Sequence, residues 1–198
     1  MTPVVLASKS SSRQAVLKAA GVTFEAVGSG VDEDAAKARL LSDGCGPRDI
    51  AAQLAEAKAV AVSQARPEVI VIGADQTLEL DGALFDKAET LGECRQRLQQ
   101  LRGKPHLLHC AVVAAQHGAP IWRHVESPRL SMRAASDAFI DAYLARHGES
   151  LLGSVGCYQL ENDGAQLFDA IDGDYFAILG LPLTPLLNLL RENGALAT

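Results

Sequence analysis

The sequence predicts an α/β fold in which helices and strands alternate from one end of the chain to the other. Three observations lead there. Short apolar runs rich in β-branched residues, such as those beginning at Val4 and Val69, recur between segments of helical periodicity. Gly, Pro and Asn-Asp signals punctuate the changes of period. Hydrophobic residues form 48% of the 198 positions and charged ones 21%, the balance of a globular chain able to bury its own core. No repeat, low-complexity stretch or Pro/Gly/Ser-rich linker divides the sequence, so residues 1–198 read as one α/β unit with two lobes around a cleft.

Val4-Val5-Leu6-Ala7 is a short strand, followed at once by Ser8-Lys9-Ser10-Ser11-Ser12 and a helix to Ala20 that Gly21 closes. A strand from Thr23 to Val27 leads into Gly28-Ser29-Gly30, and helices are expected over Asp34 to Ser42 and Pro47 to Gln64. In the second helix Ile50, Leu54, Ala57 and Ala61 mark the buried stripe, with Lys58 at its edge, where a covered stem can still deliver an ammonium to a cleft. Val69 to Ile72 has the continuous β-branched character of a strand buried on both faces, and Gly73-Ala74-Asp75 is expected just beyond its C-terminal end. Loops beyond such strand ends are where open α/β sheets hold ligands.

A hairpin is expected around Asp81-Gly82, then a helix whose Thr90 and Glu93 have capping-box spacing. Strands His106 to Gln116 and Pro120 to Arg129 flank His117-Gly118, and a helix follows from Ser136 to His147. Tyr158 to Leu160 and Ala165 to Ile171 flank Asn162-Asp163-Gly164, which predicts a second hairpin. The last helix is expected to open with Thr184 as cap and Pro185 in its first turn.

The bulk numbers exclude several classes. A formal charge of -6 argues against a general nucleic-acid binder, whose phosphate contacts need a basic surface, so any anionic ligand requires a local cationic pocket. The opening MTPVVLASKS has no basic leader before an apolar run, and no stretch approaches the ~20 apolar residues of a membrane span. A cytoplasmic protein is expected. Cys45, Cys94, Cys110 and Cys157 form no C-x-x-C pair, which predicts reduced thiols and neither a zinc site nor a disulfide framework.

Familiar signatures are absent. Gly28-Ser29-Gly30 has Glu33 where a dinucleotide fingerprint needs its third glycine, and no G-x-x-x-x-G-K-[ST], H-E-x-x-H or G-x-S-x-G occurs. What remains is a set of polar residues at element ends: Ser8, Ser10, Arg13, Glu33, Lys58, Asp75, Gln76 and Lys87. Hydroxyls where a strand turns into a helix present side-chain donors and free N–H groups at the positive end of the helix dipole, which suits a phosphate and equally suits plain capping. Asp75 reads either as a carboxylate at a ligand site or as the cap of a turn. Glu33 and Lys58, taken singly, have the character of surface charges.

Taken together these residues resemble the Maf (septum formation inhibitor) family of nucleoside triphosphate pyrophosphatases. LASKSSSR resembles the family's L-A-S-x-S-P-R-R opening, and the match continues in order: Glu33 in GVDED, Lys58 in LAEAKA, Asp75 in GADQ, Lys87 in FDKA, and GLPL from Gly180 to Leu183. Ser11 stands for the family's proline, Ser12 for its first arginine, and Ala88 for the proline after the lysine. The resemblance implies a mixed sheet in an inosine triphosphate pyrophosphatase-like fold, two lobes around the nucleotide, and cleavage to the monophosphate and pyrophosphate. It also implies homodimers, although no self-complementary stripe is legible in the sequence.

The chemistry of that reaction suits the residues. A nucleoside triphosphate carries about four negative charges, and water attacks the α-phosphorus in line with the departing pyrophosphate. Arg13, Lys58 and Lys87, with Ser8 and Ser10, are fitted to bind the phosphates. A hard divalent ion, Mg2+ or Mn2+, is expected to bridge phosphate oxygens and the carboxylates of Glu33 and Asp75. The resemblance makes Asp75 the proton acceptor, and makes Ser12, Gln76 and Glu161 the positions that tune base choice. Gln76 and Glu161 agree with the branch acting on 7-methyl-GTP, whereas the branch acting on dTTP and UTP carries Thr and Gln. The 7-methyl-GTP branch usually has Trp where Ser12 stands. A nucleotide-binding regulator of septum formation without catalysis is a further alternative, which would need the cations but no base.

Overall fold

The computed structural model describes residues 1–197 and contains eight strands and seven α-helices. In chain order they are β1 (Val4–Leu6), α1 (Ser11–Ala19), β2 (Glu25–Ala26), α2 (Glu33–Ser42), α3 (Pro47–Ala65), β3 (Ile70–Leu80), β4 (Ala83–Phe85), α4 (Leu91–Leu101), β5 (Pro105–Gln116), β6 (Ala119–Glu126), β7 (Arg129–Met132), α5 (Asp137–His147), β8 (Phe168–Asp172), α6 (Tyr175–Ile178) and α7 (Leu183–Glu192). The strands form one mixed sheet in the order β2-β1-β3-β5-β7-β8, with β4 on β3 and β6 on β5. The β1–β2 and β1–β3 pairings are parallel and the others antiparallel. The α/β architecture and the mixed sheet agree with the sequence reading.

The two long strands, β3 and β5, pair from Val71↔Ala115 to Glu79↔Leu107 and form the spine. On the other edge of β3, β1 covers residues 70–72 and β4 covers residues 78–80. Among the described residues no strand covers that edge over residues 73–77. The sheet therefore carries a notch five residues long, with a large apolar cluster to either side. One cluster gathers Leu6, Leu17, Ile72, Leu186 and Leu190 around β1, α1 and α7. The other gathers Leu78, Leu98, Leu108, Leu130 and Tyr143 around β3, α4 and α5.

Helix α3 lies against the spine unusually closely, because small residues face it. Ala51, Ala55 and Ala59 follow one another at i, i+4 and pack on Ala111, Val113 and Ala115 of β5. Opposite them on β3 is Gly73, where a Cβ would come within 2.2 Å of the Ala55 carbonyl oxygen and 2.6 Å of the Ala59 nitrogen. The buried stripe thus runs through Ala55, Lys58, Ala59 and Val62, and Ala57 and Ala61 are only half-buried. Lys58 is in the stripe, not at its edge.

Other departures have physical causes. The strand beginning at Ile70 runs on through Asp75 to Leu80, because β5 supplies hydrogen-bonding partners along its length. The expected strand from Pro120 to Arg129 is two strands, β6 and β7, separated at Ser127-Pro128. Asp81 and Gly82 both have positive φ, 53° and 82°, as a two-residue type I′ hairpin requires. The hairpin expected at Asn162-Asp163-Gly164 does not form. Residues 163–167 make a 3-10 turn, and β8 pairs with β7 instead. Gly164 serves close packing there: a Cβ would lie 2.4 Å from the Gln159 carbonyl oxygen and 2.8 Å from Tyr143 Oη. Tyr158, expected in a strand, turns into the core, where its hydroxyl is 2.8 Å from His106 Nε2 and its ring meets Phe168 edge-on. Burial pushes the His106 imidazole down to about 4, so the ring is neutral at physiological pH. Helix α7 begins at Leu183, which places Thr184 and Pro185 inside its first turn and Pro182 at the cap. Short α6 lacks the length for a periodic signal, and nothing in the sequence pattern announced it.

All four cysteines are free thiols, three of them buried. None of the helices over the described residues is long and apolar enough to cross a membrane.

Candidate active site

The notch in the sheet opens into a cleft of about 1230 Å³, walled on one side by residues 7–13 and 28–34 and on the other by residues 85–89 and 150–161. The floor is β3, which contributes Asp75, Gln76 and Thr77. Every residue singled out from the sequence lines this one cavity: Ser8, Ser10, Ser12, Arg13, Glu33, Lys58, Asp75, Gln76, Lys87 and Glu161. They come from six separate parts of the chain, so the fold itself is what assembles them.

The centre is Lys58. Its side chain is 6% exposed, and its Nζ stands 2.7 Å from Asp75 Oδ1 and 2.7 Å from Glu33 Oε2. Three features place it: the alanine face of α3, the missing side chain at Gly73, and the start of α2, whose first residue is Glu33. A buried lysine is costly unless paired. Here two carboxylates pair it, and Asp75, itself buried, receives in return a fixed orientation.

The β1–α1 junction forms the second part. Ser10 caps α1, its Oγ accepting from the Arg13 N–H at 3.4 Å, while Ser8 Oγ accepts from the Ser10 N–H at 3.2 Å and from Arg13 Nη1 at 3.2 Å. Capping and ligand binding are therefore compatible: one serine holds the helix and the other holds the arginine. Arg13 Nε donates to the Gly180 carbonyl at 2.8 Å, which ties the start of the chain to the turn before α7. Ser12 Oγ lies 3.3 Å from Ser10 Oγ.

Lys87 is exposed to the water of the cleft yet flanked by its walls. Partial burial, followed by the Arg13 guanidinium, lowers its ammonium below the ordinary lysine range, with Glu33 and Asp75 opposing and Lys58 reinforcing the shift. Four charged groups acting on one ammonium mark how tightly the cluster converges. A lysine so lowered loses its charge below the usual ~10.4. The expected result is a basic limb of kcat/KM for pyrophosphate release that falls below that value in the free enzyme and moves upward in Lys87→Arg. An unchanged limb in that variant would remove Lys87 from the site.

Two further cations were not singled out from the sequence. Lys9 lies along Gly28, where a Cβ would be 2.9 Å from its Cε, and Lys37 lines the cleft and pairs with Asp86. Lys9 sits inside the serine-rich motif, and its lining position was legible only once the residues 28–34 wall was in place. Glu161 is exposed in the turn that ends the second wall.

Glu33 and Asp75 are carboxylates of the cleft that could hold a divalent ion. They converge on one point, marked by the Lys58 ammonium. No cluster of three or more His, Cys, Asp or Glu side chains suited to an ion exists among the described residues. Their hard oxygens would suit an ion of the Mg2+ kind and are too few for an all-protein cage.

Comparison with known proteins places this geometry in context. A family model described as Maf-like protein matches residues 3–193. A protein of Caulobacter vibrioides named nucleoside triphosphate pyrophosphatase is 64% identical over 196 residues, covering 99% of this chain and 98% of its own. One of Granulibacter bethesdensis with the same name is 49% identical over 193 residues, covering 98% of both chains. A protein of Brucella abortus named 7-methyl-GTP pyrophosphatase is 48% identical over 189 residues, covering 96% of this chain and 95% of its own.

Proposed function

The chain belongs to the Maf family, and from that premise we propose that it hydrolyses nucleoside triphosphates to the monophosphate and pyrophosphate, with amine-bearing and modified guanine nucleotides such as 7-methyl-GTP as preferred substrates. The observation that carries the reading is Lys58 held between Glu33 and Asp75, with Arg13 and Lys87 in the same cleft. The names of the relatives support the reaction class.

Each side chain has work that follows from its chemistry. The triphosphate brings about four negative charges, and the guanidinium of Arg13 and the ammonium of Lys87 neutralise them as a fork and as a point charge. Ser8 and Ser10 offer hydroxyls, and the first turn of α1 offers its N–H groups, to the same oxygens. Asp75 accepts the proton of the water that attacks the α-phosphorus, and Lys58 holds that carboxylate in one orientation. A divalent ion held by Glu33 and Asp75 would polarise phosphate oxygens when bound.

Base choice falls to the second wall. Gln76 and Glu161 line the cleft and present acceptors, which match the N1–H and exocyclic amine of guanine and oppose the O4 of uracil or thymine. The relative named 7-methyl-GTP pyrophosphatase supports this finer assignment. Ser12 offers no aromatic face for a methylated guanine to stack on, which is the feature favouring the dTTP/UTP alternative.

The test is pyrophosphate release from 7-methyl-GTP, GTP, CTP, UTP and dTTP, with Mg2+ and with a chelator, in the wild type and in Glu161→Gln. The expected result is a kcat/KM at least about tenfold higher for the guanine nucleotides than for dTTP, a narrower ratio in the variant, and loss of release with chelator. A dTTP preference unmoved by the substitution defeats the base assignment. Orthophosphate as the first product defeats the reaction.

A further inference from the structure

Gln76 and Arg13 stand on different elements, yet the same short segment grips both. Gln76 Nε2 donates to the carbonyl oxygens of Ala177 at 2.9 Å and Ile178 at 3.2 Å. Arg13 Nε donates to the carbonyl oxygen of Gly180 at 2.8 Å. Both partners of the Gln76 amide are carbonyls, so only its NH2 end can face them, and the usual ambiguity between amide oxygen and nitrogen is resolved by chemistry. Both amide hydrogens are thereby engaged, and Oε1 is the only polar atom of the side chain left for a ligand in the cleft.

The gripping segment is α6 and the turn after it, and one side chain holds its start. Asp174 caps α6, its Oδ1 accepting from the Ala177 N–H at 2.6 Å. The chain then turns tightly: the Gly180 N–H bonds the Ala177 carbonyl at 3.0 Å, and the Leu181 N–H bonds that of Phe176 at 3.0 Å. Gly180 has φ +98°, a conformation that favours glycine, and a Cβ there would stand 3.4 Å from Arg13 Nε. Four residues of helix cannot hold themselves without such a cap.

We infer that Asp174 is a positioning residue: through the cap of α6 it sets the Ala177, Ile178 and Gly180 carbonyls, which fix Gln76 as an acceptor-only reader of the base and hold Arg13 against the phosphates. The inference rests on the nucleotide reading of the cleft. Its distinctive consequence is selectivity. If the carbonyl clamp loosens, the Gln76 amide can rotate and present its NH2 group, which donates to the O4 of uracil as readily as Oε1 accepted from an N–H of guanine. A merely structural role for Asp174 would weaken all nucleotides alike and leave their ranking in place.

The experiment measures the affinities of the non-cleavable α,β-methylene analogues of GTP and UTP for the full-length protein, in the wild type, Asp174→Ala, Asp174→Asn and Gln76→Met, each checked for folding by circular dichroism. The wild type is expected to favour the GTP analogue. Asp174→Ala should narrow the ratio about tenfold, the worth of one hydrogen bond at a base edge, while Asp174→Asn, which still caps, should stay within about twofold of the wild type. Gln76→Met keeps the length but loses both the donors to the two carbonyls and the acceptor for the base, and should narrow the ratio too; it decides the matter if Asp174→Ala does not fold. A wild type without preference, or a folded Asp174→Ala or Gln76→Met with the wild-type ratio, overturns the inference. Pyrophosphate release from GTP is followed in parallel: its absence beside selective binding removes the activity and leaves the positioning role standing.

Discussion

Asp75→Asn is expected to lower pyrophosphate release about 100-fold or more while nucleotide binding persists, because the amide keeps the shape of the carboxylate and loses its basicity. The geometry makes this a clean substitution. Asparagine Oδ1 can still accept from Lys58 Nζ at the position now occupied by Asp75 Oδ1, 2.7 Å away, so the buried lysine keeps one partner here and Glu33 as the other. On the proposed mechanism the substitution removes the proton acceptor, and it also removes one of the two negative charges on Lys58. Single-turnover kinetics separate these from binding. Near wild-type turnover would transfer the base role to Glu33, the other carboxylate on Lys58.

Gly73→Ala is expected to be the most damaging single methyl group in this part of the protein. Its Cβ would stand 2.2 Å from the Ala55 carbonyl oxygen, 2.6 Å from the Ala59 nitrogen and 2.8 Å from the Ala59 Cβ. Backbone atoms cannot rotate away, so α3 must move off β3, at a cost of about 3 kcal/mol or more. For a chain of this size that lowers Tm by roughly 6–12 °C. Lys58 lies between Ala55 and Ala59 on the displaced helix, so activity should fall with stability. Thermal unfolding and pyrophosphate release on the same preparation check both, and an unchanged Tm would overturn the role of the close α3–β3 contact.

The residues that line the cleft were legible as polar residues in short motifs spaced in order along the chain. Their mutual distances were not. Lys58 has the composition of a surface lysine, and only the path of α3 over Gly73 makes it a buried bridge between Glu33 and Asp75. Asp75 was expected after a strand; it lies within one, since antiparallel pairing with β5 adds hydrogen bonds that local hydrophobicity does not report. Asn162-Asp163-Gly164 has hairpin chemistry, and tertiary contacts override it: Arg146 and His147 engage Asp163, and Gly164 makes room for Gln159 and Tyr143. The Gln76 amide and the Arg13 guanidinium are held by backbone carbonyls, which any residue could supply, so no side-chain pattern could announce them.

The notch in the outer edge of β3 also bears on what the protein refuses. An open sheet edge is a template on which another chain can add a strand, and a long exposed edge invites aggregation. Here the free edge is bounded by β1 at one end and β4 at the other, and spans residues 73–77 alone. Five residues of strand measure about 17 Å, and a neighbouring strand stops that length at each end. An extended peptide entering lengthwise would collide with strands already in place, whereas a compact anionic molecule can descend into the gap from above. The same interruption that admits a small ligand to the sheet's backbone thus closes that backbone to other polypeptides.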